Sequence, residues 1–183
     1  YLIEPVLHGL GYLSAASEEY ERSGPHFIRQ PITYRKVEPK QPDYLLKNVD
    51  PTIVCIVEAK AVNREQMDGK KTHATNDIRE YIEENTFCKF LRDLDQRYLA
   101  GIGTDGFRWT LWMKDLETDE IEEGSPKVDI SSAIRKVASR RNVIEGEFSS
   151  GASDERKDLA SEFVPAFASE NLPSVVKSAF NGD

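Results

Sequence analysis

Pro42-Asp43-Tyr44-Leu45-Leu46-Lys47-Asn48-Val49-Asp50-Pro51-Thr52-Ile53-Val54-Cys55-Ile56-Val57-Glu58-Ala59-Lys60 is the stretch that decides the fold. Two short apolar runs flank Asn48-Val49-Asp50-Pro51, a cluster of turn formers. The pattern predicts an antiparallel hairpin over 42–47 and 52–60, turning near residues 49–51. Ile53 to Val57 is apolar without a break, as in a strand covered on both faces. Side chains alternate along a strand, so Glu58 and Lys60 share a face. Asp43 then falls opposite residue 56 or 58. Either register puts it on that same face, straight across from Glu58 or one diagonal step away. Such neighbours have Cβ atoms roughly 5–8 Å apart.

Two carboxylates and an ammonium therefore converge at one end of a buried hairpin. Close carboxylates repel unless something cationic sits between them. A hard divalent ion fits such a gap, and Mg²⁺ is commonly held by one or two carboxylates plus substrate phosphate. Lys60 would face the same ion or phosphate, either stabilising phosphoryl charge or helping to deprotonate water. The plainer reading is an edge salt bridge from Asp43 or Glu58 to Lys60.

The pattern Pro-Asp, spacer, Glu-x-Lys resembles the PD-(D/E)XK nucleases. More closely, the chain is similar to the nuclease module at the N-terminus of type I restriction enzyme motor subunits and to their stand-alone relatives. The resemblance spans about residues 1–113 and rests on LIEPVLHGLGY (2–12), PDYLL (42–46), IVEAKA (56–61) and GIGTDGFRWTLW (101–112). It implies an α/β, restriction-endonuclease-like fold: a central mixed β-sheet flanked by helices, here with added C-terminal helices. It also implies that Asp43, Glu58 and the backbone carbonyl of Ala59 hold one or two Mg²⁺ ions, with Mn²⁺ as a substitute. Lys60 would be the catalytic lysine, and Glu4 the acid that a leading helix adds to the site. Many members carry Gln-x-x-x-Tyr on the helix after the lysine. Here Tyr81 matches the Tyr, but Asp77 stands where the Gln belongs. The activity implied is metal-dependent hydrolysis of DNA phosphodiester bonds in a restriction or defence system. The rival readings are a catalytically silent DNA-binding or assembly module on the same scaffold, and an interaction domain whose acids and lysine form only a salt bridge.

The chain has 183 residues, enough for one domain with a real core, and a formal charge of −8. That charge opposes tight binding to DNA, which is driven by neutralising phosphates. The acids are uneven, however. Asp115, Glu117, Asp119, Glu120, Glu122 and Glu123 crowd one segment. Arg29, Arg35, Lys36, Lys40 and Lys47 gather just before the proposed site, and Arg35, Lys36 and Lys40 are the candidate DNA contacts. A solvated face without a partner explains them equally well. Weak DNA binding calls for further contacts from a homodimer or a larger restriction complex. Cys55 and Cys88 suggest neither a disulfide framework nor a zinc site, and Cys55 reads as a small core residue in a reducing, cytoplasmic protein. No stretch is apolar for long enough to span a membrane. Tyr1 falls inside a helical pattern, so the natural start is expected upstream.

Along the chain, a helix is expected over residues 1–13, ended by Gly11, and a weak strand over 27–37, broken at Pro31. A helix over 75–94 carries Ile78, Tyr81, Ile82, Phe87, Phe90, Leu91 and Leu94 inward. Strands at 97–103 and 107–113 flank Thr104-Asp105-Gly106, a hairpin signal. Residues 114–128 read as an acidic stretch ending in a Pro-containing turn. Helices follow at 129–142, at 154–168 and from Pro173 to Phe180. Residues 1–145 are expected to form the nuclease-like domain, and 146–183 a linker and helices that pack on the core or on a partner. Gln66, Lys70, Lys71 and His73 are secondary candidates for substrate contact, with a solvated loop as the plainer account. His8 and His26 lack partners at metal-ligand spacing. Trp109 and Trp112 fall on opposite faces of their strand, which leaves one of them to the core.

Overall fold

The predicted hairpin is present in the computed structural model, which describes residues 2–14, 23–31, 41–60, 73–134 and 159–181. Its strands are β3 (Tyr44–Asp50) and β4 (Ile53–Ala59). Tyr44 pairs with Val57, Leu45 with Ile56 and Leu46 with Cys55. Asp50 then closes the hairpin opposite Ile53. Two extra residues of β3 are absorbed between Leu46 and Asp50, where Asn48 takes a φ of 58°. An insertion of two leaves the alternation of faces intact on either side of it, which an insertion of one would not. Carried one residue beyond Tyr44, the register sets Asp43 against Glu58, the straight-across alternative.

The fold is mixed α/β. β1 (Leu13–Ser14), β2 (His26–Arg29), β3, β4, β5 (Tyr98–Thr104), β6 (Arg108–Asp115) and β7 (Ile121–Asp129) lie side by side in chain order. The pairs β1/β2 and β4/β5 run parallel and the other four antiparallel. A parallel pair needs a crossover. Helices α2 (His73–Glu83) and α3 (Asn85–Arg92) lie within it. The single helix expected over 75–94 is broken at Glu84, whose extended backbone (ψ 111°) lets its side chain accept from the Thr86 N–H at 2.9 Å. A carboxylate in that position satisfies a donor that would otherwise be orphaned at the start of α3.

Each face of the sheet buries its own core. Leu45, Val54, Ile56 and Leu99 meet Ile78, Tyr81, Ile82, Phe87 and Leu91 of the crossover helices. Cys55, Val57, Ile102, Trp109 and Leu111 point the other way, towards α1 (Ile3–Gly9) and the C-terminal segment. The alternation along β4 is the one read from its sequence. Trp109 is the core tryptophan, and Trp112, half-buried on the opposite face, lies under the Arg79 guanidinium.

The C-terminal helices belong to this second core. A π-helical turn at Leu159–Phe163 runs into α4 (Val164–Phe167), and α5 follows at Leu172–Phe180. Phe163 and Phe167 set their rings against Trp109 at 5.4 and 5.9 Å, and Phe180 stacks on Tyr98. The Tyr12 hydroxyl donates to the Phe167 carbonyl at 3.0 Å. Lys177 reaches Asp50 at 2.6 Å, tying α5 to the β3–β4 turn. Phe163, Phe167, Leu172 and Val176 are thus buried against the chain's own sheet, while Val164 stays exposed.

Residues 121–129, expected to end an acidic stretch in a turn, form the strand β7 instead. It is an edge strand, where charged residues and Pro126 are tolerated because one row of backbone groups faces away from the ladder. Weak strand propensity in Glu-Glu-Gly-Ser-Pro-Lys is overridden by pairing with β6. Among the described residues, no helix is long and apolar enough to cross a membrane.

Two stability outcomes are expected. A Cβ at Gly101 would lie 2.6 Å from Ile78 Cγ2, and Ile78 is fully buried on α2. Gly101→Ala should therefore cost about 1–3 kcal/mol in urea unfolding. Asp50 also accepts from the Thr52 N–H at 2.8 Å and from its hydroxyl at 2.6 Å. Burial alone would raise its pKa, but Lys177 and Thr52 together hold it below the usual carboxylate range. Its contribution is thus full above pH ~4 and declines as pH falls through the folded-state pKa. Asp50→Ala should cost about 1–2 kcal/mol at pH 7, and Lys177→Ala, on the half-exposed side of the pair, less than about 1 kcal/mol.

Candidate active site

The end of the hairpin opposite its turn is where polar groups gather. Asp43 is pinned from both neighbouring strands. Its backbone carbonyl accepts from the Gln30 N–H at 2.8 Å, just beyond β2. Its carboxylate Oδ2 accepts from the Ala59 N–H, also at 2.8 Å, at the end of β4. Glu58 follows the alternation of Val54 and Ile56 onto the α2 side and is 4 % exposed. The Lys60 N–H donates to the Thr104 carbonyl at 3.0 Å, which holds the strand end against β5.

Lys60 turns its ammonium towards two carboxylates. Nζ lies 3.2 Å from Glu58 Oε1 and 2.5 Å from Asp77 Oδ2. The hydrogen bond that Lys60 donates to Asp77, followed by the one it donates to Glu58 and by their charges, outweighs burial and pushes the Lys60 pKa well above the ordinary lysine value. Lys60 is therefore a fixed cation at neutral pH.

Tyr81 lies one helical turn after Asp77, on the same face of α2. Its side chain is fully buried, and its hydroxyl has no hydrogen-bond partner among the described residues. Burial first, then the charges of Glu58, Asp43 and Asp77, raise its pKa. Asp43 and Glu58 thus both act on the space beneath α2, as their shared face requires.

Glu4 takes a different place. It stands in the first turn of α1 and forms an ion pair with Arg29, while the Tyr44 hydroxyl donates to its Oε1 at 3.2 Å. Arg29 is the main reason its carboxyl is held below the usual range. Glu4, Arg29, Gln30, Asp43, Tyr44 and Ala59 line a cavity of about 380 Å³. Its wall includes Asp43 and Ala59 but neither Glu58 nor Lys60, which lie towards α2. The expected single pocket is thus two adjoining spaces, with Asp43 between them.

Among the described residues, no group of three or more His, Cys, Asp and Glu side chains is arranged to hold a metal ion. The site offers two carboxylates on opposed strand positions and the main chain of Ala59 between them. This donor set is all oxygen. It suits Mg²⁺, which keeps several waters and takes substrate oxygens rather than a full protein cage. Arg35, Lys36, Lys40, Gln66, Lys70 and Lys71 lie outside the described residues. His73 opens α2. The His26 ring contacts the Gly24 carbonyl at 3.0 Å, and His8 packs against Phe27, so neither serves the site.

Asp77 is the site residue that reasoning from the sequence treated only as a departure. One signal was available: an acid four residues before Tyr81, on the buried side of an amphipathic helix, needs a cation. Compared with family models, curated proteins and solved structures, the chain matches none.

Removing the Lys60 side chain would leave Glu58 and Asp77 facing one another without their shared ammonium. Lys60→Ala should cost about 1–3 kcal/mol in chemical denaturation. The folded-state pKa of Lys60 is raised, so its contribution is complete below the unfolded value of about 10.4 and is lost only as pH rises through the folded one. The lysine's own titration should therefore add no slope to the wild-type-minus-variant difference between roughly pH 6 and 9.

Proposed function

We propose that the chain is a Mg²⁺-dependent deoxyribonuclease acting in a restriction or defence system, as its resemblance to the PD-(D/E)XK nucleases implies. The observation that supports this reading is the register of β3 on β4. It sets Asp43 straight across from Glu58, and Lys60 follows on the same face at the open end of a buried strand.

In this reading Asp43, Glu58 and the Ala59 carbonyl hold the ion. A bound Mg²⁺ would supply an acidified water and charge neutralisation at phosphorus. Asp43 is oriented for this by the Ala59 N–H, which takes one of its two carboxylate oxygens. Glu58 is oriented by Lys60. Lys60 itself supplies a permanent positive charge against the scissile phosphate as negative charge develops on its oxygens. The cavity bounded by Glu4, Arg29 and Tyr44 borders the Asp43 side of this centre and gives the nucleic-acid backbone room to approach. Further phosphate contacts come from Arg35, Lys36 and Lys40, and from a second copy or a larger complex, since a charge of −8 opposes tight binding by one chain.

One observation favours the rival reading, a silent DNA-binding or assembly module. Glu58 and Glu4 already have cationic neighbours in Lys60 and Arg29. Isothermal titration with Mn²⁺, paired with plasmid cleavage in Mg²⁺, separates the two. The nuclease reading expects a saturable Mn²⁺ site that is lost in Asp43→Ala, and cleavage reduced at least about a hundredfold in Asp43→Ala, Glu58→Ala and Lys60→Ala. Mn²⁺ binding absent from the wild-type chain, or cleavage unaffected by all three substitutions, would reject it. Binding to duplex DNA should weaken steeply with added salt, and further when Arg35, Lys36 and Lys40 are neutralised together.

A further inference from the structure

Lys60 has two acidic neighbours, and they are not equivalent. Its ammonium is 2.5 Å from Asp77 and 3.2 Å from Glu58. The Glu58 side chain is 5 % exposed and that of Asp77 18 %, so the closer partner is also the one nearer solvent. Asp77 comes from a separate element. It precedes Ile78, whose side chain rests directly on the backbone of Gly101 in β5. The helix backbone at Asp77 is therefore seated against the same sheet that carries Glu58. Lys60 sits at the end of β4, where its N–H bond to Thr104 fixes the backbone but leaves a long side chain with many rotamers.

We propose that Asp77 is the positioning residue of Lys60. It holds the ammonium beside Glu58 rather than on it, so that Glu58 can take up a divalent ion without releasing the lysine from the site. A lysine held by Glu58 alone would be released when that carboxylate took up Mg²⁺, and its long side chain would swing into solvent. With Asp77 as the second and shorter contact, loosening the Glu58 contact leaves Lys60 anchored and aimed. An acid at this position can also neutralise the lysine while Glu58 is engaged elsewhere, which the Gln expected there could not. This inference rests on the nuclease reading for the use made of Lys60, and on the ion-pair geometry alone for its placement.

The test pairs an equilibrium signal with kinetics on the full chain. In ¹H–¹⁵N spectra recorded at low temperature, a lysine ammonium gives a resolved signal only when an ion pair slows its exchange with water. The wild-type chain should show one such signal that disappears in Lys60→Gln, which assigns it. The signal should persist on addition of saturating diamagnetic Mg²⁺, should be lost in Asp77→Asn, and should return in Asp77→Glu. In plasmid cleavage, Asp77→Asn should lower kcat about tenfold or more with KM for DNA changed less than about twofold, and Asp77→Glu should recover part of the loss. Circular dichroism melts establish that each variant is folded. If Asp77→Asn is not, Asp77→Glu and Asp77→Ser carry the same comparison. A Lys60 signal that survives Asp77→Asn, or an Asp77→Asn chain that cleaves at the wild-type kcat, would overturn the inference. A wild-type chain that cleaves nothing rejects the nuclease reading instead, and the placement of Lys60 by Asp77 is then decided by the ammonium signal alone.

Discussion

The pairing of β3 with β4 is the constraint on which the rest of the structure depends. It decides at once which side chains enter which core and whether the acids meet. Shifted by one residue, Leu45 and Leu46 would exchange faces, and Asp43 would leave the side of the sheet that carries Glu58. Several features resist that slip. Cys55 and Val57 are fully buried on one face and Ile56 on the other, so neither side of β4 can tolerate the exchange. The Asp43–Ala59 hydrogen bond then locks the open end. The polar centre is thus a by-product of apolar packing: the hydrophobic alternation that stabilises the sheet also places the carboxylates.

Charge at that centre is compensated by nearby cations. Lys60 lies between Glu58 and Asp77, and Arg29 attends Glu4. Burying an acid with its cation costs desolvation that the pair only partly recovers, so a hydrophobic replacement would often be as stable. What such a pair does provide is orientation. Here the orientation is shared between elements distant in sequence: a strand end, a crossover helix and the leading helix. Gly101 lets α2 approach closely enough for this, because any side chain there would displace Ile78.

Where the sequence was legible, the reason is periodicity under strong burial. The apolar run from Ile53 to Val57, bounded by turn residues and ended by Glu58, admits few structures, and the shared face of Asp43, Glu58 and Lys60 followed from parity alone. The Thr104-Asp105-Gly106 hairpin was equally plain, since Gly106 takes a φ of 91° and Asp105 bonds the backbone beyond it. β7 was hidden because an edge strand need not look like one: its identity comes from β6, not from Glu122, Glu123 and Pro126. The break at Glu84 was hidden because glutamate is not a usual cap. Asp77 escaped for a different reason. Its partner Lys60 is seventeen positions away, beyond any local period, and only the packing of α2 on the sheet brings them together. For the C-terminal helices, amphipathicity showed that one face was buried without showing against what.

These observations bear on how such a centre can be both stable and reactive. A site whose acids were bare would be stabilised by any cation, and its geometry would depend on which one arrived. A site whose acids were fully paired would resist the ion that chemistry needs. The arrangement here lies between these limits. Asp43 gives one carboxylate oxygen to a backbone N–H, a neutral donor. Glu58 holds its ammonium at the longer of that cation's two contacts. The two residues on opposed strands are thus prepared in different ways, one by a neutral donor and one by a shared cation. In the proposed nuclease reading, a divalent ion would bind beside a neutral donor on the first and compete with a shared ammonium on the second. In that reading, exchange of partners at Glu58 would be the energetic step in admitting the ion.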